Sequence, residues 1–525
     1  MKDGILIGID AGTSVIKAVA FTTDGQELAV AAIPNKYETL PGGVAEQDIA
    51  LTWESTAAML KQLTEQIPDL ASRLIAISVT AQGDGLWLID KEGEPIGPAT
   101  IWLDNRCAGI VDEYVASKNY PAHYERTGTG MTVVQMSGKL AWMQRHKPDE
   151  LAKATHAFHC KDWIYFKLTG DRFTDPSEAN CTFGNYVTNI YQPDILDHLG
   201  AANVKQLLTP VVDGTLDCGR LTEGAAKQTN LKIGTPICLG YVDYVCTGLG
   251  GGLFDPTGQT GCTIIGSTGM HMRLRTDTSA VRLNTDRSGF TVSFPAPGMV
   301  AQIQSNLAAT LNIDWLLDLA IGILADNGLQ KSRTDLLRNL DEKVLAREPA
   351  KVLYHPYISW AGERSPFMDT AARAMFNGLD TTVDYYDMMR GVFEGLALAA
   401  RDCYEVMGPI PKEIRITGGA ARSKALRLIL ASVLNAEIRS VSREECGAAG
   451  TAMIAAVQQK LFPHMAACAK VWVDPHLGAS TKPVAELATR YDEIFPHYVA
   501  ARKAMGPIWR GLARASKTEV KSPIA

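Results

Sequence analysis

Asp10, Gly12, Thr13, Ser14 and Lys17 stand together in the stretch "ILIGIDAGTSVIKAVAF" near the start of the chain. The runs on either side, Ile5 to Ile9 and Val15 to Phe21, are short and rich in β-branched and aromatic residues, so the stretch reads as strand, tight turn, strand. Asp10 then falls at a strand end. The turn Gly12-Thr13-Ser14 presents backbone N–H groups and two hydroxyls, a combination that suits an anion such as a phosphate, and Lys17 adds positive charge nearby. Asp-x-Gly-Thr is equally ordinary hairpin chemistry, in which Asp and Gly serve only the turn.

The theme recurs. "GCTIIGSTGMHMRL" at 261 to 274 is again strand, polar glycine-rich turn, strand, with Gly266, Ser267, Thr268 and Gly269 at its apex. A further strand-to-glycine junction, "EIRITGGAARSKALRLILASVLN" from Glu413, carries Gly418, Gly419, Ala420 and Ser423 and leads into a helix with Leu426, Ile429, Leu430, Val433 and Leu434 on one face.

These turns need elements to hold them. "TTDGQELAVAAI" continues the first hairpin through Asp24-Gly25 into a third strand, giving an antiparallel meander. From Glu46 to Ile67, apolar residues recur at helical spacing, and "LIAISVTAQGDG" then returns to strand. The order β-β-β-α-β is that of a ribonuclease H-like, or actin-like, unit. Thr235 to Gly252, "TPICLGYVDYVCTGLGGG", reads as one strong strand that ends in glycines and contains Asp243. Asp243 can also cap a helix beginning "YVCTGL". With the repeated hairpin, the reading is an α/β chain of two actin-like domains arisen by duplication and facing one cleft. The expected division is 1–250 and 251–515, with a frayed, polar tail at 516–525.

At 525 residues the chain exceeds one compact core. Lys plus Arg 51 against Asp plus Glu 57 gives a net charge of -6, which argues against a surface built for nucleic acid or an anionic membrane. No signal-like or membrane-spanning run is present, and the reading is a cytoplasmic protein. The ten cysteines include no C-x-x-C pair, which disfavours structural zinc or a disulfide framework. No P-loop or G-x-G-x-x-G occurs; in the nearest approach, "GRLTEGAAK", Ala225 stands where the lysine belongs.

With these pieces together the chain resembles the FGGY family of carbohydrate kinases over nearly its whole length. The blocks that carry the likeness are, in order, "DAGTSVIK" at Asp10, "WLDNR" at Trp102, "GYVDYVCTGLGGG" around Asp243, "YISWAGERSPFMD" at Tyr357, "ITGGAARSKAL" and "EECGAAGTAMIAA". The resemblance implies ATP and magnesium as cofactors and Asp243 as the general base. Asp10 would face the metal through water, with Asp243 beside it, and Gly12, Thr13, Ser14 and Lys17 would surround the terminal phosphate. The Gly266–Gly269 turn would be the second phosphate loop, and adenosine would lie on Gly418, Gly419 and Ala420, with Ser423 at the edge.

On the acceptor side the resemblance points to Gln82, Gly83, Asp84, Trp102, Asp104, Arg106, Asp243 and Tyr244. Asp104 and Arg106 can instead pair with one another, and Trp102 can be core. The Gln-Gly-x-Gly segment at Gln82 departs from the Asn-Gln-Arg-Glu and Gln-Met-His-Gly types, and the implied acceptor is a small polyol or ketose, erythritol first and L-xylulose second. Family habit implies a homodimer. Competing readings are an actin-like filament, a sugar-responsive regulator, and an ATPase chaperone; the first strand at Met1 to Gly12 leaves no expected room for an N-terminal DNA-binding unit.

Overall fold

The fold is described from a computed structural model, which describes residues 3–515; the tail expected at 516–525 lies outside them. Two mixed sheets carry the same five-strand plan. The first, of six strands, includes β1 (Ile5–Ala11), β2 (Val15–Thr22), β3 (Glu27–Pro34), β4 (Leu74–Ala81) and β5 (Pro236–Leu239), with a short edge strand at Gly219–Arg220 beside β5. The second, of seven strands, includes β6 (Thr260–Ile265), β7 (Gly269–Arg275), β8 (Val300–Asn306), β9 (Glu413–Thr417) and β10 (Glu437–Val441), with edge strands at Phe290–Ser293 and Leu477–Thr481. Across the first sheet the order is β5-β4-β1-β2-β3, and across the second it is β8-β7-β6-β9-β10. The hairpin strands pair antiparallel in both, and the later strands add parallel to β1 and to β6. A duplicated actin-like unit follows from that shared order.

The central strands are apolar on both faces because both faces are covered. Ile5, Leu6, Ile7 and Ile9 of β1 are fully buried, as expected of a strand in the middle of a sheet flanked by helices. The helices that matter for the site are α1 (Ile49–Gln66), α2 (Cys160–Thr169), α3 (Pro176–Thr182), α4 (Asp243–Gly250), α5 (Tyr385–Val406), α6 (Lys424–Leu434) and α7 (Cys446–Gln458). The helix expected from Glu46 begins at Ile49, because Asp48 caps it by accepting from the Leu51 N–H at 2.9 Å and Val44–Gln47 instead pairs as a short strand with Glu38–Leu40. The face of α6 is as the spacing predicts, with Leu426, Ile429, Leu430, Val433 and Leu434 buried.

One expectation fails. The run Thr235–Gly252 is not a single strand: pairing stops at Leu239, and the chain turns into α4 at Asp243. The reason lies in the neighbour. α4 lies against α7, and a side chain at Gly250 would meet the Cys446 carbonyl at 2.1 Å, while one at Gly450 would meet the Cys246 carbonyl at 1.9 Å. The glycines thus mark two helices whose backbones nearly touch.

α7 belongs in sequence to the second half yet packs on the first sheet, where a Cβ on Gly8 of β1 would sit 1.9 Å from the Ala448 carbonyl oxygen. α4 in turn lies near the second sheet, with Gly248 against Met272 of β7 and the following Gly251 against Cys262 of β6. Each half therefore lends one helix, α4 or α7, to the sheet of the other. Among the described residues no helix is long and apolar enough to cross a membrane.

Candidate active site

The first turn is held from below by a chain of side-chain hydrogen bonds. Trp102 Nε1 donates to Thr13 Oγ1 at 2.9 Å, Thr13 Oγ1 donates to Gln82 Oε1 at 2.9 Å, and Gln82 Nε2 donates to Gln47 Oε1 at 2.6 Å. Gln47 Nε2 passes on to Asn35 Oδ1 at 2.6 Å, and Asn35 Nδ2 returns to the Gly12 carbonyl at 2.8 Å. The ring of bonds closes on the turn it supports. Gln82 is buried and spends its amide on this network, and Trp102 does the same with its ring nitrogen.

Asp10 and Lys17 face each other across the β1–β2 pair. No protein hydrogen bond to the Asp10 carboxylate occurs among the described residues, and Gly447 of α7 comes so close that a Cβ there would lie 2.1 Å from Asp10 Oδ2. Lys17 Nζ binds both oxygens of Glu445, at 2.8 and 2.9 Å, just before α7 begins. Burial first, then the Glu445 charge, push Asp10 up to about 6, with Lys17 opposing.

Asp243 stands on a loop fixed at three points. Gly240 N donates to the Val79 carbonyl at 2.9 Å, Thr80 Oγ1 to the Tyr241 carbonyl at 2.6 Å, and Val242 N to Ser177 Oγ at 2.9 Å. Asp243 does not cap α4 but opens it as its first residue, and Oδ1 accepts from the Tyr244 N–H at 2.7 Å. The other oxygen has no protein partner among the described residues. Burial, then the charges of Asp10 and Asp84, raise this carboxyl to about 8, which is how a base poised near neutrality is made.

Beside it, Gly83, Asp84 and Tyr244 line a wall with Glu178, a residue the motif reading did not single out. Asp84 is held at φ 60° in a tight turn, and burial raises it to about 6. Asp104 and Arg106 turn to one another. Arg106 Nε donates to Asp104 Oδ2 at 2.8 Å, the same oxygen accepts from the Ala45 N–H at 2.9 Å, and Arg106 Nη2 reaches Glu46 at 2.7 Å. Asp104 is 1% exposed, so this pair ties the first unit together.

The second turn is built differently. Gly266 N donates to the Thr268 carbonyl at 3.0 Å, while the Gly266 and Ser267 carbonyls accept from Thr310 and Ala309 N–H groups at 3.0 and 2.7 Å. Ser267 and Thr268 are exposed and their hydroxyls have no partner among the described residues. Gly418, at φ 95°, lies so near β6 that a Cβ would meet the Ile265 carbonyl at 2.5 Å, so only glycine serves there. Gly418 and Gly419 border a cavity of about 410 Å³ completed by Arg422, Arg427 and residues 440–444. Ser423 caps α6 through the Leu426 N–H at 3.1 Å and donates to Asp341 at 2.6 Å, and Ala420 sits in the short turn between them.

Sequence reasoning missed Asn35, Gln47, Glu178, Glu445 and Arg364. Arg364 and Glu445 were within reach, since they lie in the quoted blocks "YISWAGERSPFMD" and "EECGAAGTAMIAA", but Asn35, Gln47 and Glu178 carry no local pattern.

Comparison with known proteins agrees with this geometry. Residues 5–250 match the model of the FGGY family of carbohydrate kinases, N-terminal domain, and residues 261–459 match that of its C-terminal domain. The chain is 46% identical over 512 residues to the erythritol kinase of Brucella abortus, covering 98% of each chain. It is 26% identical over 500 residues to the xylulose kinase of Staphylococcus xylosus, covering 94% of this chain and 98% of that one. In fold it is similar to the crystal structure of xylulose kinase from Rhodospirillum rubrum, with TM-score 0.86 at 24% identity over 96% of this chain and 100% of the other.

Proposed function

The chain belongs to the FGGY family of carbohydrate kinases, and from that premise we propose that it transfers the terminal phosphoryl group of ATP to a primary hydroxyl of erythritol. Carbohydrate kinases of this family use ATP as donor. The observation that carries the acceptor is the 46% identity to an erythritol kinase across 98% of both chains.

In this reading Asp243 accepts the proton of the attacking hydroxyl, whose oxygen bonds to the γ-phosphorus as the bond to the β-bridging oxygen breaks and ADP leaves. The loop anchors at Val79, Thr80 and Ser177 hold the carboxylate in place for that transfer. The Asp10 carboxylate, unpartnered and crowded by Glu445, carries more negative charge than its surroundings neutralise, which fits a cation. Asp10, with Asp243 beside it, would hold magnesium, which supplies charge neutralisation to the phosphates. The Gly12–Ser14 and Gly266–Gly269 turns hold phosphate oxygens through backbone N–H groups, and Lys17 reaches them by leaving Glu445. Gly418, Gly419 and Ala420 bed the adenosine in the cavity beside them. Asp84 and Tyr244 face the acceptor, while Gln82, Trp102, Asp104 and Arg106 brace the wall behind it.

The units divide at 250 and 251, apart from the exchanged helices. The ten free cysteines and the net charge of -6 support a cytoplasmic enzyme whose partners are small molecules, and family habit supports a homodimer.

The test is an ADP-release assay with ATP and magnesium against tetritols, pentitols, pentuloses and glycerol, with Asp243→Asn alongside. Turnover highest on erythritol and lost in the variant is the expected result. Highest turnover on L-xylulose or another pentulose would replace the acceptor, and no turnover on any would overturn the reading.

A further inference from the structure

The wall beside Asp243 contains two buried carboxyl groups with unspent capacity. Glu178 lies in the first turn of α3, where Asp175 caps the helix and accepts from the Ser177 N–H at 2.8 Å. Its side chain is fully buried. Glu178 Oε2 accepts from the Asp84 N–H at 3.2 Å and lies 3.7 Å from His159 Nε2. Glu178 Oε1 and Asp84 Oδ1, both buried, have no hydrogen-bond partner. One oxygen from each carboxylate, with Cys181 Sγ, forms a group whose atoms lie within 4.8 Å of one another, and Cys181 meets the Tyr244 hydroxyl at 2.5 Å. Glu178 Oε1 faces the bare backbone of Gly83, where a Cβ would stand 3.7 Å away.

The second unit closes this wall. Arg364, on the loop after Tyr357, donates through Nε to Ser305 Oγ at 3.0 Å. Its Nη groups make no hydrogen bond among the described residues, and its charge acts on both Asp84 and Tyr244. An unpartnered buried carboxylate oxygen is costly, and two side by side next to a catalytic base call for a ligand that brings hydroxyl donors. Burial raises both Asp84 and Glu178, and the Asp84 charge adds to the rise at Glu178. Such a pair receives a neutral hydroxyl and repels a carboxylate.

Resting on the kinase reading above, we infer that Glu178 and Arg364 are specificity-determining residues of the acceptor pocket: Asp84 and Glu178 bind neighbouring hydroxyls of a neutral polyol, and Arg364 closes over them from the other unit. The acceptor enters when the units part, since Glu178 is shut off while they are together. The pocket thereby selects uncharged vicinal diols over sugar acids.

The experiment is steady-state kinetics of the full-length enzyme, Glu178→Ala, Glu178→Gln and Arg364→Ala on erythritol and on its monodeoxy analogues. Glu178→Ala should raise KM for erythritol about 10- to 100-fold, with kcat within about threefold and KM for ATP unmoved. Glu178→Gln, which keeps a carbonyl acceptor, should recover most of that loss. For the analogue lacking the bonded hydroxyl, Glu178→Ala and wild type should have the same KM, a coupling that a merely structural role would not produce. Arg364→Ala should raise KM for erythritol and leave ATP unaffected. Should Glu178→Ala not fold, wild type alone decides: one monodeoxy tetritol must lose about 10-fold or more in KM. A wild type that uses erythritol but treats every monodeoxy analogue alike, or a Glu178→Ala whose loss is equal on all of them, overturns this inference and leaves the kinase standing. A wild type silent on every neutral polyol yet active on a sugar acid overturns the inference and the acceptor assignment together.

Discussion

The two hairpin turns share one plan and are held by opposite means. The Gly12–Ser14 turn is braced by side chains drawn from four separate segments, through Asn35, Gln47, Gln82 and Trp102. The Gly266–Thr268 turn is braced by its own backbone and by the start of the helix at Thr310. Around the first stand Asp10, Lys17, Asp84 and Asp243; around the second are glycines and exposed hydroxyls. The two turns of a duplicated fold thus differ in their surroundings, with fixed charge around the first and close backbone approach around the second.

Substitutions can break that contrast or sharpen it. The largest effect belongs to the charged half: Asp243→Asn should lower kcat by about 10²- to 10⁴-fold with nucleotide binding intact, measured by turnover and by ADP titration. Next, Gly447→Ala puts a methyl group against Asp10, where a Cβ would lie 2.1 Å from Oδ2. A displacement of that kind should cost about 10²-fold in kcat, read in the same assay. In the glycine half, Gly418→Ala should raise KM for ATP while kcat on saturating nucleotide changes little; an equal fall in kcat would erase the contrast.

Stability should separate the turns as well. Thr13→Ala leaves Gln82 and Trp102 without their shared partner and should cost about 1–3 kcal/mol, whereas Thr268→Ala should stay within about 0.5 kcal/mol, both by denaturant unfolding. The smallest effect concerns pH. Asp10 and Asp243 have folded pKa values raised to about 6 and 8, so the unfolded chain releases their protons first, and stability from these groups declines as pH rises from about 4 to 8. Asp243→Asn removes one share of that decline, so its Tm advantage over wild type should widen across that interval; a constant difference would contradict the raised value.

Much of this was legible in the sequence, and the limits were physical. The hairpins, the third strand, the turn glycines and the face of α6 follow from periodicity and turn chemistry that act within a few residues. The run Thr235–Gly252 misled because a buried strand and a buried helix are both apolar throughout. Gly250 within it, matched by Gly450 of the later block, carried the signal of touching helices. The bracing of the first turn could not be read, since Asn35 and Gln47 meet Gln82 only after the sheet has formed. The same holds for Lys17 and Glu445, which are 428 residues apart. Asp104 and Arg106 show the converse: polar residues in a motif from which the resemblance implied acceptor contacts are spent on each other.

The exchanged helix α7 has a consequence for how the molecule comes into being. A ribosome finishes the first sheet long before it makes residues 446–458, the segment that covers one side of that sheet. At about 5–20 residues per second, β1 and β4 wait on the order of 10–40 s with an apolar surface bare. The first half cannot mature on its own during synthesis, and the nascent chain is exposed to aggregation and to chaperone capture until its last third has emerged.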